Sequence, residues 1–177
     1  MSSSALLVVD VQQNMVEGPW CVPGGAEVTA KVREVLTKAR ELGWEIVHIR
    51  NCGPEGDIDE QGSPGWELVL EPIDGEIVVD KFSKDVFETN PALVDELKAR
   101  GVSKVHLVGL QSEYCVRESA FGAESHGFEV VVPDDWHFTY PSSGPANAYP
   151  ADHDAAAVAA VSAEEFALAG FATKAPF

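Results

Sequence analysis

The chain has 177 residues, 45% of them hydrophobic and 23% charged, which fits one globular domain over 1–177, able to bury a core without staples, and excludes extended disorder. Twelve Lys and Arg against 29 Asp and Glu give a net charge of −17; such a balance opposes a phosphate-tracking surface and argues against nucleic acid as a partner. The opening MSSSALLVVD lacks a basic stretch and its apolar run stops at Asp10, so no signal peptide and no membrane span are expected, and three cysteines in separate contexts (Cys21, Cys52, Cys115) suit a cytoplasmic chain without disulfides.

Ala5 to Val9 is an apolar run of strand length closed by an acid, as in a central parallel strand buried on both faces. Gly24 and Gly25 punctuate the chain, and from Ala26 to Leu42 the residues Val28, Val32, Val35, Leu36, Ala39 and Leu42 fall on one helical face, stopped by Gly43. Further strands are predicted at Glu45 to Ile49, Glu76 to Val79, Val105 to Val108 and Phe128 to Val132. Asn90-Pro91 opens a helix carrying Leu93 and Leu97 and ending at Gly101. A helix carrying Val116, Ala120, Ala123 and Glu124 starts near Cys115, and Ala151 to Leu168 forms a last alanine-rich helical region. This alternation implies an α/β fold of three layers, α/β/α, with a mainly parallel central sheet. Two stretches, Asn51 to Pro72 and Tyr140 to Pro150, break the rhythm and read as long binding or lid loops.

In an open parallel sheet, ligands bind beyond the carboxyl ends of the strands. Asp10 closes the first strand, the third runs into Lys81, and the fourth leads through Gly109, Leu110, Gln111 and Ser112 to Cys115. A carboxylate, an ammonium and a thiol therefore converge on one sheet edge. Singly, Asp10 could cap a turn, Lys81 could be a solvated charge and Cys115 could pack in the core. Together they make a coherent unit: the carboxylate accepts the thiol proton while the ammonium offsets the negative charge, and a helix N-terminus after Cys115 would lower the thiol pKa. The backbone N–H groups of Gln111 and Cys115 are the candidate oxyanion donors.

The run ALLVVDVQQNMVEG, and the run from VVDKFSKDVFETNP through VGLQSEYCVRESAF to VVVPDD, resemble the isochorismatase-like cysteine hydrolases over about residues 5 to 140. The motifs stand in family order: an acid closing strand one with Gln12 two residues on, a lysine after strand three followed by Phe87 and Thr89, and a Gly-aliphatic-x-Ser-x-x-Cys-Val turn. The resemblance implies Asp10, Lys81 and Cys115 as a catalytic triad, a non-proline cis peptide at Leu110-Gln111, and a homo-oligomer, dimer or tetramer. GSPGWEL and DWHFT are similar to a branch that includes streptothricin hydrolase, although Trp136 stands where that branch commonly has a small residue. HIRNCGPEGD lacks the Asp and His pattern of metal-dependent nicotinamidases, so no metal and no cofactor is expected. Isochorismatases proper cleave a vinyl ether and lack the nucleophilic cysteine, so Cys115 implies an amide-cleaving member.

Gln12, Trp20, Trp66, Phe87, Trp136 and His137 are candidate substrate contacts, the tryptophans as walls of an apolar pocket or, equally, as packing. Trp44, His48 and His106 read as structural. The expected activity is hydrolysis of a C–N amide or cyclic amide bond of a small molecule through a thioester on Cys115. The competing readings are a non-catalytic small-molecule binding module and a thiol redox sensor; no G-x-G-x-x-G, P-loop or C-x-x-C supports them. The acidic balance reads either as a hydrated surface or as a preference for cationic substrates.

Overall fold

The computed structural model describes residues 4–142 and 153–177. Six strands form one sheet: β1 (Ser4–Val9), β2 (Glu45–Asn51), β3 (Ile77–Lys81), β4 (Lys104–Leu110), β5 (Glu129–Val131) and β6 (His137–Phe138). Their order is β3-β2-β1-β4-β5, with β6 pairing the end of β4, and every ladder among the described residues is parallel. The helices are α1 (Gln13–Val16), α2 (Gly25–Glu41), α3 (Val86–Thr89), α4 (Ala92–Ala99), α5 (Arg117–Ser125) and α6 (Ala155–Leu168).

Alternation along β1 divides the core in two. Ala5, Leu7 and Val9 face a cluster built with Phe87, Leu97, Ala120 and Phe166 from α3, α4, α5 and α6, whereas Leu6 and Val8 face one built with Val28, Val32, Val35 and Leu36 from α2. A strand buried on both faces needs no polar side, which is why this stretch is uniformly apolar. The predicted three-layer α/β/α fold is therefore the observed one.

The five predicted strands and the helices of residues 26–42, 91–100 and 116–124 form within a few residues of their expected bounds. Strand β6 has no counterpart in the prediction: its two residues are recruited by β4 through the pairs Gly109↔His137 and Leu110↔Phe138, a tertiary effect that two residues cannot signal. The predicted stripe is buried at Val116, just ahead of α5, and at Ala120 and Ala123 within it, but Glu124 is exposed. Leu42 is likewise exposed, past the end of α2. Most of the Tyr140 to Pro150 loop, and the first two residues of the Ala151 to Leu168 region, lie outside the described residues. Among the described residues no helix is long and apolar enough to cross a membrane.

Candidate active site

The sheet order reverses direction between β1 and β4, and it is there that the two strand ends diverge to leave a crevice. Asp10 follows β1 in a left-handed conformation, φ 52°, uncommon for a residue with a side chain and typical of functional turns. Its N–H is anchored on the Ile49 carbonyl at 3.0 Å. Lys81 is the last residue of β3, opposite Asn51 at the end of β2. Beyond β4 the peptide Leu110-Gln111 is cis, and Ser112–Val116 form a π turn in which the N–H of Val116 donates to the Gln111 carbonyl at 3.1 Å. Cys115 lies inside this turn, two residues ahead of α5.

Lys81 is fully buried, and its ammonium uses its three donors on three partners: Asp10 Oδ2 at 3.0 Å, Asn51 Oδ1 at 2.9 Å and Cys115 Sγ at 3.1 Å. Asp10 Oδ1 is buried without a partner, leaving one lone-pair edge for a proton or a ligand. Burial raises the Asp10 pKa above the usual carboxylate value, with the charge of Asp59 adding to the rise and Lys81 opposing it. Burial alone would depress Lys81, but Asp10 and Cys115 outweigh it and hold the ammonium charged. The Cys115 thiol is pushed up to about 12, first by burial and then by the adjacent Asp10 carboxylate, against the pull of Lys81. This corrects the expectation of a lowered thiol pKa: the helix proper starts after Cys115, and burial beside an anion outweighs what its N-terminus could supply. At rest the cluster is a thiol beside a carboxylate–ammonium pair.

The crevice is a cavity of about 260 Å³ bounded by Asp10, Gln12, Met15, Asn51, Asp59, Lys84, Gln111, Tyr114 and Cys115. Of the candidate substrate contacts, only Gln12 borders it, and its amide is occupied. Nε2 donates to the carbonyls of Asn51 at 3.0 Å and Trp66 at 2.9 Å, while Oε1 accepts from the Asn51 N–H at 2.8 Å. It braces the β2 end against the loop. The other five stand elsewhere. Trp20 is 73% exposed, its carbonyl accepting from the Tyr140 hydroxyl. Trp66 lies under the Arg50 guanidinium, 3.7 Å from its ring centroid, and donates to Cys52 Sγ. Phe87 is core, near Phe128 and His126. Trp136 is 1% exposed in the cluster on the α2 side, so its indole fills the interior and does not shape the pocket. His137 is buried, with Nδ1 2.9 Å from Ser112 Oγ and its ring edge-on to Phe166, supporting the π turn from behind. A larger concavity along the outer face of α2, reaching Phe177, is remote from these groups.

Asn51, Asp59, Met15, Lys84 and Tyr114 border the cavity without having been singled out as substrate contacts. Asn51 could have been found by the strand-end rule that found Lys81. Its Nδ2 donates to Asp59 Oδ2 at 2.7 Å, which turns Oδ1 toward Lys81. Gly53 makes this possible, since a Cβ there would overlap Asp59 Oδ1. Among the described residues no three of His, Cys, Asp and Glu gather closely enough to hold a metal ion.

Residues 4–172 match the isochorismatase domain model. The chain is 43% identical over 138 residues to a streptothricin hydrolase of Streptomyces noursei, covering 77% of this chain and 54% of that protein; it thus spans about half the length of the curated streptothricin hydrolases it matches. It is 30% identical over 148 residues to a maleamate amidohydrolase of Pseudomonas putida, covering 72% of this chain and 68% of that one. Among solved structures, a pyrazinamidase of Pyrococcus horikoshii in complex with zinc superposes with a TM-score of 0.78 at 28% identity, covering 97% of this chain and 98% of the other. With a domain match over nearly its whole length, and the fold and strand-end motifs in agreement, this chain belongs to the isochorismatase family.

Proposed function

We propose that the protein is a hydrolase that cleaves the C–N amide bond of a small molecule through a thioester on Cys115, with Asp10 and Lys81 completing the catalytic unit. The observation that carries this reading is the buried Lys81 ammonium, 3.0 Å from Asp10 and 3.1 Å from Cys115 at the base of the cavity. The amidohydrolase activity named for the Pseudomonas relative, and the hydrolase activity named for the Streptomyces one, support the reaction class.

As the substrate carbonyl carbon reaches Sγ, the thiol proton passes to Asp10 and the S–C bond forms. The oxyanion that develops is held by the backbone N–H groups of Gln111 and Cys115. Asp10 returns the proton to the departing nitrogen, the C–N bond breaks, and an acyl-Cys115 thioester remains. Water then gives a proton to Asp10 and adds to the thioester; collapse expels the thiolate, which recovers that proton as the acid is released. Lys81 keeps charge in the unit balanced throughout, so neither the carboxylate nor the thiolate is stranded in a buried site. A thiol pushed up to about 12 fits proton transfer coupled to attack. It argues against a redox sensor, which needs a resting thiolate.

Incubation with an amide and lactam panel, followed by intact-mass detection of an acyl adduct, tests the reading. An adduct mapped to Cys115 and absent from Cys115→Ala is expected; hydrolysis that persists in this variant would end the thiol mechanism.

A further inference from the structure

We infer that Lys84 selects substrates bearing a carboxylate, and that the cavity discriminates against ammonium-bearing ones despite the acidity of the whole chain. The inference rests on the proposed active site but concerns which charge enters it.

Four charged side chains border the cavity or lie at its base: Asp10, Lys81, Asp59 and Lys84. Asp10 and Lys81 neutralise one another, and every donor of the Lys81 ammonium is taken. Asp59 is held by its Oδ2 on Asn51 with Oδ1 seated over Gly53, so it is fixed in place and orients the Asn51 amide, although among the described residues no ion pair compensates its charge. Lys84 differs from the other three. It is exposed at the cavity mouth, three residues after Lys81, and among the described residues no carboxylate lies within ion-pair distance of it, whereas eight of the chain's twelve Lys and Arg side chains do have such a partner. Its ammonium rests over the Tyr114 ring, 4.5 Å from the centroid. Tyr114 precedes Cys115 in the π turn, and the ring, this cation and Cys115 border the same cavity.

In a chain of net charge −17, four of the twelve cations have no acid partner among the described residues, and Lys84 is the one of these that borders the cavity of the reactive trio. The ring face steers the ammonium without consuming its donors. A carboxylate on the substrate would meet three available N–H groups there; an ammonium would meet a like charge. The acids of the 51–72 loop that do not border the cavity matter less where they lie beyond about 8 Å, because exposed charges at that distance are screened at physiological ionic strength.

Three amides of similar size and different charge provide the probe: succinamate, succinamide and β-alaninamide, titrated against the full chain carrying Cys115→Ser so that nothing turns over. Succinamate is expected to bind about tenfold more tightly than succinamide at low salt, the size of effect a single partly screened ion pair gives, with β-alaninamide weakest and the spread shrinking as salt is added. Adding Lys84→Gln should bring the succinamate to succinamide ratio to near one, and Lys84→Glu should reverse the order in favour of β-alaninamide. Equal affinities, tighter binding of β-alaninamide to the Lys84 protein, no binding of succinamate, or a ratio unmoved by Lys84→Gln would each overturn the inference. The hydrolase reading is tested separately with native Cys115: charge-selective binding without cleavage of any amide would defeat that reading alone, and cleavage indifferent to substrate charge would defeat only the role of Lys84.

Discussion

Lys81 shows how a buried charge becomes the hinge of a site. Its ammonium is compensated by Asp10 alone among charged groups, so removing either partner leaves an isolated charge in the interior. Lys81→Met should therefore cost about 3–5 kcal/mol of stability, and Asp10→Asn added to it should recover part of that loss, as read from urea unfolding midpoints. Activity should behave differently. Cys115→Ala, Asp10→Asn and Lys81→Met are each expected to lower kcat/KM by several orders of magnitude, with the double variants scarcely worse than the singles, because the three act as one unit. Losses that multiplied would mean independent sites. Cys115→Ala should nonetheless stay folded, with unfolding midpoint changed by no more than about 1 kcal/mol.

The pH dependence follows from the same three groups. Catalysis needs the Asp10 carboxylate, whose pKa burial has raised; kcat/KM should fall on the acid side at a pH above the usual carboxylate range. On the alkaline side Lys81 remains charged beyond the ordinary lysine value, and the thiol titrates only at about 12. A broad plateau is therefore expected through neutral and mildly alkaline pH. A rate that climbed with the ionisation of an ordinary cysteine would contradict coupled proton transfer to Asp10.

At the scale of elements, two contacts decide whether the strand ends meet. Gly109, φ 132°, lies against β1 so closely that a Cβ would overlap the Val9 carbonyl oxygen. Gly109→Ala should cost about 3 kcal/mol or more, from strain in a conformation that L residues rarely adopt plus the displacement of β1. Glu76 joins three pieces: its carboxylate accepts from Arg40 of α2 at 2.7 and 2.8 Å, from His48 of β2 at 2.8 Å and from the Ile73 N–H at 2.9 Å. Burial lowers the His48 pKa, so at neutral pH its ring is uncharged and donates from Nε2. Against its own burial, these donors hold the Glu76 pKa at about 2, below the ordinary 4.5. Glu76→Gln should cost on the order of 2–3 kcal/mol at pH 7. A depressed carboxylate pKa stabilises the fold fully above the unfolded value and progressively less as pH falls through the folded one. The difference between wild type and Glu76→Gln should then be constant above about pH 5 and vanish near pH 2, as thermal unfolding across pH would record.

For the whole molecule, the donors at the sheet edge bear on metal dependence. A catalytic metal ordinarily takes three His or carboxylate ligands. At the end of β2 the chain supplies the Asn51 amide, and its oxygen and nitrogen are already committed to Lys81 and Asp59. Activity is expected to survive prolonged chelation, and elemental analysis to find no stoichiometric transition metal; loss of activity restored by added Zn²⁺ would refute this.

The sequence by itself determined the layers, the parallel sheet and the positions of Asp10, Lys81 and Cys115, because these depend on local periodicity and on one topological rule, that polar residues at strand ends share an edge. It could not determine which aromatic residues line the cavity. Trp20, Trp66 and Trp136 all fall in loops following strands, which suits a pocket wall, but side-chain direction there is set by packing between elements far apart in the chain. Trp136 is buried in the cluster on the α2 side. The cavity is bordered instead by Asn51, Asp59, Lys84 and Tyr114, whose hydrogen-bond and ring partners are mostly set by the tertiary structure. The sign of the Cys115 shift was likewise a tertiary matter: helix position is local and readable, whereas desolvation and the approach of Asp10 exist only once β1, β3 and β4 lie side by side.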